Sequence, residues 1–280
     1  MLKGYLEITR PVNSIVAGFA VILGVIIAKG VIPVESLILV PVVFAITAAG
    51  NVINDYYDRD IDAINRPERP IPSGKISPKA AFIYSLILFS AGILICLPVN
   101  ILCLSLAVFN SLLLILYAKK LKGLPFIGNI AVSYLAASIF LFGGAFFGLS
   151  GLLQNLVVFS ITFFAMLSRE LLKDAEDIEG DRQGGARTLP MYIGVKKTGT
   201  LSLVLASLGV IISLMPFLRF WGPYYLVFIL IADIVILYAG VLGFLAENSE
   251  SLKKSGATSI LKKGMFLALL IFLISAVLFG

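Results

Sequence analysis

Residues 36–62 read SLILVPVVFAITAAGNVINDYYDRDID, and the change of character along this stretch decides the fold. Its first 18 residues, Ser36 to Ile53, carry no charge, close to the roughly 20 apolar residues that a helix needs to cross a bilayer. The nine that follow hold Asn54 and four aspartates, Asp55, Asp58, Asp60 and Asp62. Such a segment places its first part in lipid and its acidic end in water, because an ionised carboxylate is costly in hydrocarbon.

The rest of the chain repeats the apolar theme. Of its 280 residues 59% are hydrophobic and 14% charged, with a mean hydropathy of +1.03, whereas soluble domains run at about 45–50% and 25%. Further apolar spans are expected at Pro11 to Ala28, Ala80 to Leu97, Ile101 to Ala118, Pro125 to Leu149, Leu152 to Leu167, Thr200 to Phe217, Tyr224 to Ala246 and Gly264 to Phe279. The fold class is therefore all-α: a polytopic membrane protein of nine transmembrane helices, with loops too short for a soluble module. The first span is too long for a signal-peptide core and lacks a cleavage-like site, so it counts as a true helix.

Charge sets the expected orientation. With the N-terminus cytoplasmic, 20 of the 22 basic residues fall on the cytoplasmic side, leaving Lys29 and Arg219 opposite, the bias of the positive-inside rule. Gly30 to Pro33, Pro98 to Asn100, Ser150 to Gly151 and Arg219 to Pro223 read as short outer turns. The long connections, Asn54 to Lys79 and Ser168 to Gly199, lie on the basic side and mark the functional face. This predicts that the functional face, and the active site with it, is cytoplasmic.

Histidine is absent, which removes imidazole bases and His-ligated transition metals. The two cysteines, Cys96 and Cys103, are too few for a metal cage and read as small core residues. What remains is acidic. Ten of the 16 acids fall in two windows: Asp55, Asp58, Asp60 and Asp62, then Glu170, Asp174, Glu176, Asp177, Glu179 and Asp181. Asp55, Asp58 and Asp62 are spaced three and four apart, and Asp174, Asp177 and Asp181 repeat that spacing 119 residues later. On a helix each trio shares one face. Asn54, Asp58 and Asp62 also align, with Asn51 one turn deeper. Similar Pro, Gly and basic patterns follow each cluster, so residues 1–280 are expected to form a single membrane domain. Helices one to four and five to eight would be pseudo-repeats, the ninth an addition, and the site would lie where the repeats face each other.

Carboxylates gathered in a partly dehydrated site repel one another unless cations join them. Oxygen-only ligation favours Mg²⁺, Mn²⁺ or Ca²⁺, and Mg²⁺ prefers one or two carboxylates plus phosphate oxygens. Two ions bridging a diphosphate would suit two clusters. Lys119, Lys120 and Lys122 follow Tyr117, Lys173 adjoins Asp174, and Arg66 and Arg69 lie close in sequence to the first acids, all candidates to hold an anionic ligand or its leaving group.

Asn54-Asp55-Tyr56-Tyr57-Asp58-Arg59-Asp60-Ile61-Asp62 resembles the NDxxDxxxD motif of UbiA-type intramembrane prenyltransferases, and Asp174, Asp177 and Asp181 resemble their DxxDxxxD motif. The likeness spans essentially the whole chain, including Arg10-Pro11-Val12-Asn13 before the first helix and the Tyr117 and lysine segment after the fourth. It implies nine helices around a central cavity open laterally to lipid, and Mg²⁺-dependent transfer of an isoprenoid from its diphosphate. By motif position, Asn54, Asp58 and Asp62 would bind one Mg²⁺, and Asp177 and Asp181 a second. Within the superfamily, residues 54–74 and 168–190 look most like the archaeal branch that places the second isoprenoid ether on glycerol phosphate. That branch implies geranylgeranyl diphosphate as donor and the sn-2 hydroxyl of geranylgeranylglyceryl phosphate as acceptor, with membrane lipid around both, the cell membrane as location and no nucleic acid partner. Relatives that prenylate aromatic acceptors share both motifs, so the motifs alone leave the acceptor open.

Transfer requires the departing diphosphate to be neutralised and the allylic cation to be shielded from water. Asp55, Asp62, Tyr117 or the diphosphate could take the acceptor's proton, Lys119 and Lys173 could stabilise the leaving group, and Arg10, Asn13, Asn51, Arg66, Arg69, Lys120, Lys122 and Asp174 could bind substrate. Asp233, alone in the eighth span, is expected to bond a neighbouring helix rather than line a cavity. A cation-coupled transporter is the competing class, but its acids should lie near mid-membrane, and these lie at span ends. A CDP-alcohol phosphotransferase lacks support because its DGxxAR element is absent.

Overall fold

The computed structural model describes residues 2–183 and 186–279, and no strand occurs among them. In chain order the helices are α1 (Leu2–Ile8), α2 (Pro11–Lys29), α3 (Leu39–Asn65, after a 3-10 turn at Val34–Ile38), α4 (Pro78–Cys96), α5 (Ile101–Lys119) and α6 (Ile127–Ala145). They continue with α7 (Gly148–Glu176), α8 (Ile178–Gln183), α9 (Pro190–Ser213), α10 (Gly222–Leu245), α11 (Ser249–Ser255) and α12 (Ala257–Phe279). Among the described residues nine helices are long and apolar enough to cross a membrane, the number expected from the sequence.

Local chemistry explains several ends. Ser77 accepts a hydrogen bond from the Ala80 amide ahead of Pro78, opening α4. Asn100 caps α5 through the Cys103 amide and donates to the carbonyls of Ala145 and Phe146, 2.9 and 3.2 Å away, so one amide side chain fixes two turns.

The structure corrects several expected boundaries. Hydropathy ends the second and sixth spans at Ile53 and Leu167, yet α3 runs to Asn65 and α7 to Glu176. At 1.5 Å per residue these helices are about 40 and 44 Å long, longer than the roughly 30 Å hydrocarbon layer. The surplus turns carry Asp55, Asp58 and Asp62 on α3 and Glu170 and Asp174 on α7, and a falling hydropathy marks where lipid ends rather than where the helix ends. The expected starts of the seventh and ninth spans, Thr200 and Gly264, also move, to Pro190 and Ala257. The outer turn expected at Ser150 and Gly151 sits instead at Phe146 and Phe147, where the Phe147 amide bonds Gly144 O at 3.0 Å and Gly148 adopts φ 77. That turn is as apolar as the helices it joins, so hydropathy does not reveal it.

The chain forms two compact units. The first runs to Leu121 and includes Ile139–Leu153; the second comprises Lys122–Ser138 and the chain from Gln154 onward, so α6 and α7 are each divided between them. In the first, α3 packs against α2, α4 and α5 around Val21, Val25, Leu39, Val42, Ile46 and Ile53. In the second, α10 packs against α9 and α12, with Leu172, Ala175, Ile236, Leu252 and Leu261 at the core. Asp233 meets its expectation: Ser213 Oγ donates to its Oδ2 at 2.7 Å, and Tyr225 OH donates to the Ser213 carbonyl at 2.7 Å, tying α10 to the end of α9.

Small residues permit the closest approaches. A Cβ added to Gly199 would overlap the Gly243 carbonyl, so α9 and α10 touch backbone to backbone there, whereas Gly123 faces open space. Gly199→Val should therefore cost about 1–3 kcal/mol through forced separation of the pair. Its thermal unfolding midpoint in detergent should fall well below that of Gly123→Ala, and equal midpoints would contradict the close packing.

Candidate active site

In the first unit the acidic stripe of α3 is met by two arginines. Arg10 sits between α1 and α2 with φ 48, a left-handed conformation uncommon outside glycine. Asn51 Nδ2 and Ser14 Oγ both donate to the adjoining Thr9 carbonyl, at 3.1 and 3.0 Å, and hold this break in place. Arg10 Nη2 then donates to Asp55 Oδ1 at 2.5 Å. Arg69, in the turn after α3, donates from Nη1 to the same oxygen at 3.2 Å and to Asp62 Oδ2 at 2.5 Å. The Ile76 amide bonds the Pro70 carbonyl, and Ile71 and Ile76 pack on Ile8 and Val52, so the Arg69 turn rests on the body of the unit.

Asn54 Nδ2 donates to Asp58 Oδ2 at 2.8 Å, forming the amide and carboxylate pair that the spacing predicts. Asp55, Asp58 and Asp62 are buried, at 4, 9 and 6% exposure. Arg66, Asn13, Lys119 and Lys120 are exposed, and Tyr117 is half-buried near the end of α5. Lys75 pairs with Glu7 at 2.8 Å, fastening α1 to the loop after α3.

The second unit presents a more open stripe. Asp174 lies on α7, Asp177 just beyond it, and Asp181 on α8, whose start is joined to α7 by the Asp181 amide bonding the Asp177 carbonyl at 2.9 Å. Burial is the main cause that pushes the Asp181 carboxyl above its ordinary range, and Asp177 adds to it, while Lys173 and Lys122 oppose it. Asp177 approaches Lys253 at 3.6 Å on the surface, a pair of little energetic worth. Asn129, a residue the sequence reading passed over, donates from Nδ2 to Asp174 Oδ2 at 2.8 Å. Its one sequence signal is an amide in the first turn of an apolar helix, a position that invites a polar partner.

Among the described residues no three carboxylates converge as a ready-made metal cage. The donor set nevertheless fits Mg²⁺, which takes one or two carboxylates and completes its shell with water and phosphate oxygens. All candidate donors are oxygens, and each stripe carries an amide already bonded to a carboxylate.

The description "UbiA prenyltransferase family" matches residues 14–277. The chain belongs to that family. It is 50% identical over 277 residues to digeranylgeranylglyceryl phosphate synthase of Methanoculleus marisnigri, covering 99% of each chain. A solved structure concerned with digeranylgeranylglyceryl phosphate synthase in membranes superimposes with a TM-score of 0.88 at 40% identity, over 99% of this chain and 98% of that one. A UbiA homologue from Archaeoglobus fulgidus bound to GPP and Mg²⁺ shares the fold with a TM-score of 0.67 at 17% identity, over 95% of this chain and 99% of that one. Nine apolar helices and UbiA membership make the chain a multi-pass membrane protein.

Arg69 bridges two buried aspartates, at 16% side-chain exposure against 5 and 8%. Removing one partner of a buried ion pair leaves uncompensated charge and costs about 3–5 kcal/mol. Arg69→Leu should lower the thermal midpoint strongly, while Arg66→Leu, at an exposed position, should stay within about 0.5 kcal/mol. Similar midpoints for the two variants would show that the Arg69 pairs do not hold the site.

Proposed function

We propose that this UbiA-family chain transfers a geranylgeranyl group from geranylgeranyl diphosphate to the sn-2 hydroxyl of geranylgeranylglyceryl phosphate, forming the second ether bond of archaeal membrane lipids. The carrying observation is 50% identity over 99% of both chains to a digeranylgeranylglyceryl phosphate synthase, with both acidic stripes present. In the reaction the donor's C1–O bond breaks, the sn-2 oxygen bonds C1, diphosphate leaves, and the hydroxyl proton is given up.

Each stripe would hold one Mg²⁺: Asn54, Asp58 and Asp62 the first, Asp177 and Asp181 the second. Bound there, Mg²⁺ supplies charge that offsets the negative charge growing on the leaving group. The protein's own groups do the rest. Lys119 and Lys173 would add positive charge at the diphosphate, with Asp174 and Lys122 beside it. Arg10 and Arg69, pinned through Asp55 and Asp62, present guanidinium edges suited to the acceptor's phosphate, with Arg66, Lys120, Asn13 and Asn51 at its margins. Asp55 spends one oxygen on both arginines, so its main service is to aim them. Asp62, Tyr117 and the departing diphosphate remain as acceptors for the hydroxyl proton.

An aromatic row extends into the membrane part of the second unit. Tyr134 meets Phe159 at 5.9 Å, Phe159 meets Phe163 at 6.0 Å, and Phe163 meets Phe164 at 5.4 Å between ring centroids. Phe163 lies about 16 Å along α7 from Asp174, a fitting length for an isoprenoid tail whose diphosphate rests at the acids. Ring faces there would bed the isoprenoid tail and keep water from it. By the distribution of basic residues the site faces the cytoplasm and the N-terminus is cytoplasmic, and by resemblance to the archaeal branch the membrane is the cell membrane. The two matched stripes also favour descent from a duplicated four-helix unit within one membrane domain.

Purified protein given Mg²⁺, geranylgeranyl diphosphate and both geranylgeranylglyceryl phosphate and 4-hydroxybenzoate should yield only the diether phosphate by mass spectrometry, and none after chelation. A prenylated benzoate would move the acceptor to the aromatic branch. Asp58→Asn and Asp177→Asn should each lose at least about 100-fold in kcat/KM, a loss of the size expected when charge stabilisation at the leaving group is removed. Asp181 holds its proton to a higher pH than an ordinary carboxyl, and a protonated carboxyl does not bind a cation. The Mg²⁺ needed for half-maximal rate should therefore climb as pH falls, and Lys122→Ala, which removes an opposing charge, should move that climb to higher pH. A shift in the other direction would contradict the assigned electrostatics.

A further inference from the structure

The two stripes match in their acids but differ in one respect. In the first, Asn54 stands on α3 itself and donates to Asp58 at 2.8 Å. The corresponding position of the second, 119 residues on, is Lys173, an ammonium rather than an amide, whose half-exposed side chain donates to Glu170 Oε2 at 3.5 Å. The second motif thus lacks an amide of its own.

Another helix supplies an amide, but to Asp174, the counterpart of Asp55, rather than to Asp177, the counterpart of Asp58. Asn129, in the first turn of α6 and 7% exposed, donates from Nδ2 to Asp174 Oδ2 at the same 2.8 Å. Its placement is built in by the preceding turn. Phe126 has φ 64, and the only other described non-glycine residue with positive φ is Arg10, which serves the first stripe through Asp55. Such conformations cost free energy and persist where surrounding structure holds them. Here the Phe126 side chain packs against Leu167, Leu171 and Leu205, and its carbonyl accepts the Ile130 amide at 3.0 Å, which aims the first turn of α6 at α7.

We propose that Asn129 is a positioning residue of the second acidic stripe, supplying from α6 the amide that orients Asp174 toward the cation and diphosphate. The inference rests on the prenyl-transfer reading and deepens it. A donated N–H fixes the carboxylate plane and commits one of its oxygens, so the other keeps a constant direction. Asp174 also lies within electrostatic reach of Glu170 and Asp181, and without the amide its rotamer would be set by their repulsion. Asp174 stands one turn before Asp177, an assigned ligand, and groups that orient the surroundings of a metal site typically change its affinity 10–100-fold.

The test measures the Mg²⁺ concentration that gives half of the thermal stabilisation seen with geranylgeranyl diphosphate, alongside turnover. Asn129→Ala should lower the metal-free midpoint through the lost hydrogen bond and, beyond that, raise the Mg²⁺ concentration about tenfold. The reciprocal pair, Asn129→Asp with Asp174→Asn, restores a hydrogen bond between the helices but moves the charge. It should recover the metal-free midpoint and still need at least about tenfold more Mg²⁺. An unchanged Mg²⁺ requirement in Asn129→Ala overturns the proposal, and so does a wild-type requirement in the reciprocal pair, which would reduce the contact to helix packing. The parent reading fails separately, by absence of diether phosphate from the wild-type protein.

Discussion

Carboxylates crowded at the edge of a bilayer repel one another in a medium that screens charge poorly, and much of this chain's architecture answers that repulsion. In the first unit the answer is cationic: one oxygen of Asp55 receives both Arg10 and Arg69, and Arg69 reaches on to Asp62. Those contacts require a left-handed break before α2 and a turn after α3 that rests on Ile8, Val52, Ile71 and Ile76. In the second unit fewer charges are neutralised within the protein. Asp174 takes an amide from Asn129, while Lys173 and Lys122 act on Asp181 from a distance. A stripe left short of positive charge is one that a divalent cation and a diphosphate can complete.

Helix length turns this electrostatic problem into a site. Because α3 and α7 outrun the hydrocarbon layer, α3 carries Asp55, Asp58 and Asp62 past its boundary on one face of a rigid rod, while α7 carries Asp174 there and hands Asp177 and Asp181 to the break and to α8. In the proposed reaction diphosphate and cation would be held where water is available, and the isoprenoid would lie among apolar and aromatic groups deeper in the membrane. The same chain needs no nucleophile and no histidine, since the chemistry asks for charge neutralisation at one end and dryness at the other.

The features legible in the sequence were those with a period or a charge. Nine spans, the one-face alignment of Asp55, Asp58 and Asp62, the Asn54 and Asp58 pair, and the interhelical role of Asp233 follow from hydropathy, helical spacing and the cost of buried charge. What escaped depended on contacts between segments distant in sequence. Asn129 and Asp174 are 45 residues apart, as are Arg10 and Asp55, and no local pattern announces either pair. The turn at Phe146 and Phe147 was hidden because it is as apolar as its neighbours, and the ends of α3 and α7 because a helix can continue into water after its hydropathy has fallen.

In the proposed site each stripe would hold one divalent ion in the presence of the donor. Counting Mn²⁺ bound per chain by electron paramagnetic resonance, with geranylgeranyl diphosphate saturating, measures this directly. Two ions are expected for the wild type, and one for either Asp58→Asn or Asp177→Asn. A single ion in the wild type, or two retained by both variants, would contradict the account.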